Sequence, residues 1–166
     1  MLKIISSSAQ LHYGEIMQVY EQSIQNSGKE NYPHLDENQQ ILEAEQDFYA
    51  FLKAFLSEEH SQCMVWVLDG KYASILRVEP YRDGALIEGL ETAISSRRKG
   101  FAKELLSATI QYLLENGYRK IYSHIHKDNL PSVKTHLSCG FLLVSEHSAY
   151  IDGSVDHNSL TYLYEK

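Results

Sequence analysis

A run of cations around one glycine, Arg97-Arg98-Lys99-Gly100-Phe101-Ala102, has the composition of an anion-binding turn. Apolar residues recur at helical spacing directly after it, so the turn opens a helix. The first four amides of a helix lack intrahelical partners, and together they carry about half a positive charge. The glycine lets the backbone approach a ligand closely. The run therefore predicts a site for an anion such as a pyrophosphate, or, in the alternative, a solvated basic turn that caps a helix.

Two histidines, His124 and His126, alternate along a predicted strand and therefore share one of its faces. With only Asp128 nearby as a further ligand, they make a poor metal site, and we interpret them as a polar strand face bordering a substrate pocket. The two cysteines, Cys63 and Cys139, are not in a CxxC pair. No zinc site is predicted, and at most one disulfide is possible.

The composition indicates what general kind of protein this is. The chain has 166 residues, of which 43% are hydrophobic, and its 15 Lys and Arg against 22 Asp and Glu give a net charge of −7. These values exclude a disordered chain and favour one domain over residues 1–166. The acidic balance disfavours a nucleic-acid partner and suits an amine ligand, although acidity is also common among cytoplasmic proteins. With no signal peptide and no apolar stretch of about 20 residues, we expect a cytoplasmic protein without a membrane partner.

Periodicity predicts the element order β α α β β β α β α β β, a mixed sheet with helices on its faces. The predicted helices cover residues 13–24, 37–56, 101–116 and 129–138. The predicted strands cover residues 1–6, 63–68, 71–78, 85–93, 119–126, 141–151 and 160–164. We expect Asn26-Ser27-Gly28 to end the first helix and residues 79–84 to form a turn. The late tyrosines are interpreted as packing and edge residues, one of which could reach a substrate: Tyr150, Tyr162 and Tyr164.

Two blocks of sequence carry a family resemblance. The first has the spacing Q/R-x-x-G-x-G/A, at Arg97, Gly100 and Ala102. The second follows the pattern N-x-x-A/S-x-x-x-Y-x-x-x-G-F, at Asn129, Ser132, Gly140 and Phe141. Together with the β/α order between them, over about residues 84–145, these blocks resemble the acetyl-CoA-binding core of the GNAT acetyltransferase superfamily.

The resemblance implies a single-domain GNAT-like α/β (α+β) fold, with a mixed central sheet of about seven strands, a splayed strand pair and about four flanking helices. It implies acetyl-CoA as co-substrate and no metal. The pantetheine arm would lie in the gap between the splayed strands, and the pyrophosphate would lie on amides near residues 98–103. The residues that the resemblance assigns to cofactor binding are Thr92, Ala93, Ile94, Arg97, Arg98, Lys99, Gly100, Phe101, Ala102, Lys103, Asn129 and Ser132.

Three residues are candidates for proton transfer. Glu88 and Glu91 lie on the strand that faces donor and acceptor in the family, so either is a candidate general base, with Glu88 preferred. The alternatives are an exposed sheet charge and a carboxylate that attracts a cationic substrate. Three positions apart, the two side chains point to opposite faces unless a bulge intervenes. His136 stands where many family members have a Tyr that protonates the leaving thiolate, and it is either an acid or a packing residue against the CoA arm.

The leading hypothesis is an N-acetyltransferase that transfers an acetyl group to a primary amine of a small molecule or peptide, by direct attack in a ternary complex. The alternatives are a non-catalytic acyl-CoA-binding or regulatory module and an enzyme of this fold with a longer acyl donor. Residues 13–56 and the last hairpin would select the acceptor, and they contain no motif that identifies it. A homodimer is left open.

Overall fold

The computed structural model describes residues 1–166 and contains nine strands and five helices. The strands are β1 (Leu2–Ile5), β2 (Gln62–Leu68), β3 (Lys71–Tyr81), β4 (Gly84–Thr92), β5 (Lys120–His126), β6 (Leu142–Ser145), β7 (Ser148–Ala149), β8 (Val155–Asp156) and β9 (Ser159–Glu165). The helices are α1 (Tyr13–Val19), α2 (Glu21–Asn31), α3 (Glu37–Phe55), α4 (Phe101–Glu115) and α5 (Leu130–Ser138). No helix is long and apolar enough to cross a membrane.

Seven strands form one mixed sheet in the order β1-β2-β3-β4-β5-β9-β6, and β7 and β8 form a separate small hairpin. Every neighbouring pair in the large sheet is antiparallel except β4 and β5, which run parallel. The predicted fold class, a single-domain mixed sheet flanked by helices, is confirmed.

Successive strand residues point to opposite faces of the sheet, and both faces carry apolar side chains. Helices therefore cover both faces. On one face, α1, α2 and α3 bury a cluster that includes Ile16, Leu52 and the strand residues Val65 and Ile75. On the other face, α4 packs over a second cluster, which includes the strand residue Leu76. The sheet therefore separates two layers, and a side chain on β4 or β5 belongs to one or the other.

The parallel pair β4 and β5 is joined over only three residue pairs, Ala85 to Ile87 against Ile121 to Ser123. Close approach at the start of β4 requires a glycine, because a Cβ on Gly84 would lie 2.1 Å from the carbonyl oxygen of Lys120. Beyond Ile87 the two strands are no longer paired. This is the predicted splayed pair, and it leaves a notch between the two strands.

The predicted break at Asn26-Ser27-Gly28 is wrong, because α2 continues through these residues to Asn31. The chain instead turns at Tyr20, between α1 and α2, so the first predicted helix is two helices and the total is five. Gly28 is buried and lies where α2 crosses α3: a Cβ there would be 2.6 Å from the carbonyl oxygen of Gln40. The glycine serves helix packing, not helix termination.

Two further boundaries differ from the prediction. Strand β3 extends through Pro80 to Tyr81, so the predicted turn at 79–84 shrinks to Arg82 and Asp83. The predicted strand 141–151 ends at Ser145, and its last part forms the β7–β8 hairpin. Strand β9 lies inside the sheet, between β5 and β6, so its Tyr162 and Tyr164 are not edge residues.

We predict that Gly28→Ala destabilises the protein by roughly 1–3 kcal/mol, because the added methyl group overlaps the α3 backbone. The matched control is Gly14→Ala in α1, where a Cβ meets nothing within 4 Å. That change should stabilise the fold by up to about 1 kcal/mol through helix propensity. Urea denaturation midpoints measure both effects, and equal shifts of the same sign would contradict the packing role.

Candidate functional site

A bulge in β4 shapes the site. The register against β3 pairs Glu91 with Ile75 and Glu88 with Arg77, so two residues of β4 lie opposite a single residue of β3. At the bulge Gly89 has φ +62°, and a Cβ there would lie 2.4 Å from a guanidinium nitrogen of Arg77. Because the extra residue shifts the strand alternation, Glu88 and Glu91 point to the same face, towards α1–α3.

The notch between β4 and β5 brings together residues from both sequence blocks. Its wall includes Glu88, Glu91, Asn129, Ser132 and His136. All three candidate proton-transfer residues and two of the predicted cofactor-binding residues therefore line one cleft. The other predicted cofactor-binding residues lie at the end of β4, in the loop that follows it and in the first turn of α4.

The loop before α4 and the first turn of α4 present six consecutive amides, those of residues 98–103, that have no hydrogen-bond partner in the structure. The preceding amide, of Arg97, donates to Ile94, and the first intrahelical bond is from Glu104 to Gly100. Arg98 has φ +61° and Gly100 has φ +88°, and this alternation of backbone conformation points successive N–H groups to one side. No side chain caps this helix, and a Cβ on Gly100 would point into open space. The arrangement can hold an anion.

Two cationic side chains of the loop donate hydrogen bonds to nearby backbone carbonyl oxygens. The Nε of Arg97 donates to the carbonyl oxygen of Thr92 at 3.1 Å, and the Nζ of Lys99 donates to that of Ser95 at 2.8 Å. These side chains therefore stabilise the path of the loop and add positive charge to it. The Thr92 hydroxyl lies 3.0 Å from that of Ser74, Ala93 is buried, and Ile94 is exposed.

The carboxylate of Glu88 lies within reach of the phenol of Tyr150 and has two charged or chargeable neighbours. A nitrogen of Arg77 lies 4.0 Å from one of its oxygens, and Nδ1 of His124 lies 3.3 Å from the other. The Arg77 guanidinium also lies over the rings of Phe51 and Phe55. The Glu88 side chain is 21% exposed, so it is accessible from the notch.

Glu91 is held by the helical layer instead. Its carboxylate accepts a hydrogen bond from the hydroxyl of Ser23 in α2 at 2.7 Å. From the junction of α1 and α2, Tyr20 donates to the carbonyl oxygen of Gly89 at 2.8 Å and so fixes the bulge. Burial raises the pKa of Tyr20, which keeps the phenol protonated for this bond.

His136 is an internal residue of α5, only 1% exposed. Its Nδ1 lies 2.8 Å from the carbonyl oxygen of Ser132, so Nδ1 carries the proton and donates it, while Nε2 lies 3.0 Å from the hydroxyl of Ser123. Burial lowers the pKa of His136, although the bond to Ser132 opposes this effect. The imidazole is therefore neutral at pH 7. Asn129 caps α5 by accepting from the amide of Ser132.

Sequence analysis assigned no part in the chemistry to three residues near the carboxylates: Arg77, His124 and Tyr150. His124 was noted for its alternation with His126, but nothing local to it indicates that Glu88 is its neighbour. Burial, followed by the charge of Glu88, raises the pKa of Tyr150 to about 12. The structure contains no group of three or more His, Cys, Asp or Glu placed to hold a metal ion.

Comparison with known proteins defines the class. The model of the acetyltransferase (GNAT) family matches residues 22–141. The chain therefore belongs to the GNAT acetyltransferase family and is an enzyme of the N-acetyltransferase class.

Solved structures share the fold across the full chain. The chain resembles the PaiA N-acetyltransferase from Thermoplasma acidophilum in complex with coenzyme A (TM-score 0.66, 12% identity, covering 100% of this chain and 99% of that one). It also resembles the ribosomal-protein-alanine N-acetyltransferase from Brucella melitensis (TM-score 0.66, 14% identity, 100% and 99%). A third similar structure is an N-acetyltransferase from Staphylococcus aureus Mu50 (TM-score 0.65, 19% identity, 99% and 97%). By sequence, no curated relative matches the chain.

We predict that His136 makes the fold less stable as the pH falls below about 6.5, the reference value for histidine. Its pKa is lowered in the folded state, so the unfolded chain binds a proton more readily and stability declines as the pH falls from that value towards the folded pKa. The His136→Gln variant should lose less stability than wild type between pH 7.5 and 5, as measured by urea denaturation. The exposed control His60→Asn should retain the wild-type pH dependence.

Proposed function

We propose that this protein transfers the acetyl group of acetyl-CoA to a primary amine of a small molecule or peptide, by direct attack within a ternary complex. The observation that carries the proposal is the line of six unpaired amides at residues 98–103, which follows shortly after β4, the strand that lines the notch with two carboxylates. The amides suit a diphosphate, and the carboxylates suit an amine. Among the similar structures, one holds coenzyme A, and another is an alanine N-acetyltransferase acting on a ribosomal protein.

For the CoA site, we assign the diphosphate to the amides of the loop before α4, with Arg97, Arg98, Lys99 and Lys103 adding positive charge around it. The unpaired part of β4, up to Thr92, Ala93 and Ile94, offers its backbone to the pantetheine arm. Asn129 and Ser132 line the other side of the same notch. These donors fit a diphosphate, because main-chain N–H groups at a helix N-terminus can bind an anion even where no side-chain cation contacts it. Bound acetyl-CoA supplies the thioester that the amine attacks.

For proton transfer, we assign the general-base role to Glu88. An amine substrate arrives as an ammonium ion, with a pKa near 10.4 for a lysine-like amine, and must lose a proton before it attacks. Glu88 faces the notch and lies beside His124, whereas Glu91 is held by Ser23 of the helical layer. Glu91 then contributes negative charge that favours the cationic acceptor.

For His136, we propose a role as a neutral residue of the notch wall. Its lowered pKa disfavours the imidazolium that proton donation would need. Its Nε2 lies 3.0 Å from the Ser123 hydroxyl and its ring packs edge-on against Phe141, and both contacts fix the surface beside the pantetheine arm. The departing sulfur then takes its proton from solvent.

The proposal is tested by turnover. Purified protein with acetyl-CoA and a panel of small amines, polyamines and peptides with free N-termini should release a free thiol, with acetylated amine detected by mass spectrometry. Saturable CoA binding without turnover on any amine would instead support a binding module. Turnover only with longer acyl-CoA donors would reassign the donor.

We predict that Gly100→Val weakens CoA binding at least tenfold, a loss of about 1.4 kcal/mol, because its side chain occupies the space in front of the amides. The matched control is Gly117→Val at the other end of α4. Gly117 has φ +90° against +88° for Gly100, and neither position has an atom within 4 Å of an added Cβ. Both variants bear the same backbone strain, so calorimetry should find weakened CoA binding only for Gly100→Val. Equal weakening in both would place the anion elsewhere.

We predict that Glu88→Gln lowers kcat/KM by roughly 10²- to 10⁴-fold while leaving the Kd for CoA unchanged, because only proton removal from the acceptor is lost. Glu91→Gln should have a smaller effect, mainly on KM for the amine. Glu58→Gln, a surface change outside the notch, serves as the control in the same assay. A larger loss in Glu91→Gln than in Glu88→Gln would exchange the two roles.

A further inference from the structure

His124 is a histidine with nothing to bond to. Its side chain is 2% exposed, and neither ring nitrogen has a hydrogen-bond partner. Leaving a buried polar group unpaired costs free energy, so such a residue calls for a functional explanation. The ring is not held by a neighbouring carbonyl, as that of His136 is.

The ring of His124 faces the candidate base. Its Nδ1 is 3.3 Å from a carboxylate oxygen of Glu88, close enough to form a bond after a small side-chain rotation but without hydrogen-bond alignment in the structure. Catalytic hydrogen bonds are often long or poorly aligned before the substrate binds. Tyr81 and Tyr150 contact the ring edge-on, with centroids 5.4 and 4.9 Å away, so apolar ring surface surrounds the pair.

Carboxylates outnumber cations around His124. The titratable and charged groups that face it are Arg77, Glu79 and Tyr81 from β3, Glu88 from β4 and Tyr150 after β7. Two carboxylates oppose one guanidinium, which leaves one negative charge in excess. Burial and the charge of Glu88 raise the pKa of Glu79, in keeping with this excess. A cation that enters the cluster balances the charge.

We propose that His124 relays the acceptor's proton: Glu88 takes it from the ammonium group and His124 takes it from Glu88. This inference rests on the proposed function and assigns a residue that acts through Glu88. The amine loses one proton along this route, and its freed electron pair forms the C–N bond as the C–S bond of the thioester breaks. Nitrogen loses a second proton after attack and the departing sulfur gains one, so each turnover releases one net proton to solvent.

Chemical rescue separates a proton relay from a packing role. His124→Ala should lower kcat/KM about 10²-fold with the Kd for CoA unchanged. Added imidazole should restore much of the lost rate, increasingly as the pH converts it to its neutral form. Pyrazole has the same shape but is a far weaker base, so it should not restore the rate. Equal rescue by both rings, or wild-type activity in His124→Ala, would overturn the relay. His60→Asn controls for loss of a histidine and should respond to neither ring.

A second measurement does not depend on turnover. Histidine ring signals recorded by NMR, and assigned through the His124→Gln variant, report the contact of His124 with Glu88. In Glu88→Gln the ring signals of His124 should shift, and in Glu91→Gln they should stay in place. Unchanged His124 signals in Glu88→Gln overturn the relay even where the wild type is active. If no amine is acetylated, the proposed function fails, and these signals still show whether the two side chains are in contact.

Discussion

The extra residue in β4 at Gly89 is the constraint on which the site depends. Without it, β4 would keep its alternation, and Glu88 and Glu91 would lie on opposite faces of the sheet. With it, both face α1–α3, while β4 leaves β5 after Ile87 and opens the notch. The bulge is held from both sides, since Tyr20 donates to the Gly89 carbonyl oxygen and the guanidinium of Arg77 occupies the space where a side chain would be. A single backbone irregularity thus connects the packing of the N-terminal helices to the geometry of the cleft.

Main-chain groups offer the anion contacts of the candidate site, and side chains form the face proposed for the acceptor. The loop before α4 offers its anion contacts through amides, and these depend on backbone conformation and not on residue type, apart from the glycine at 100. The face that would receive the acceptor consists of side chains from β3, β4, β5 and the N-terminal helices.

The sequence predicted the elements that depend on local patterns. Helical periodicity located α3 and α4, and the spacing of Arg97, Gly100 and Ala102, through the family resemblance, located the loop that carries the unpaired amides. The prediction for Gly28 was wrong, because a glycine that ends a helix and a glycine that allows a second helix to pack closely have the same local sequence. Only the position of the second helix, α3, distinguishes them. It could not pair His124 with Glu88, since that contact depends on the bulge and on two strands far apart in the chain.

The proposed acceptor face would attract the amine and remove its proton with one cluster of side chains. Arg77 is stacked on Phe51 and Phe55, so its positive charge is held beside Glu88. Glu79 and Glu88 together carry one more charge than Arg77, and this negative excess favours an incoming ammonium ion. In the proposed relay, the proton removed from the ammonium ion would pass to the imidazole of His124, 3.3 Å from Glu88, where it would balance the same excess as a cation. Attraction of the amine and removal of its proton would then draw on one electrostatic imbalance, at a carboxylate that stays open to the notch.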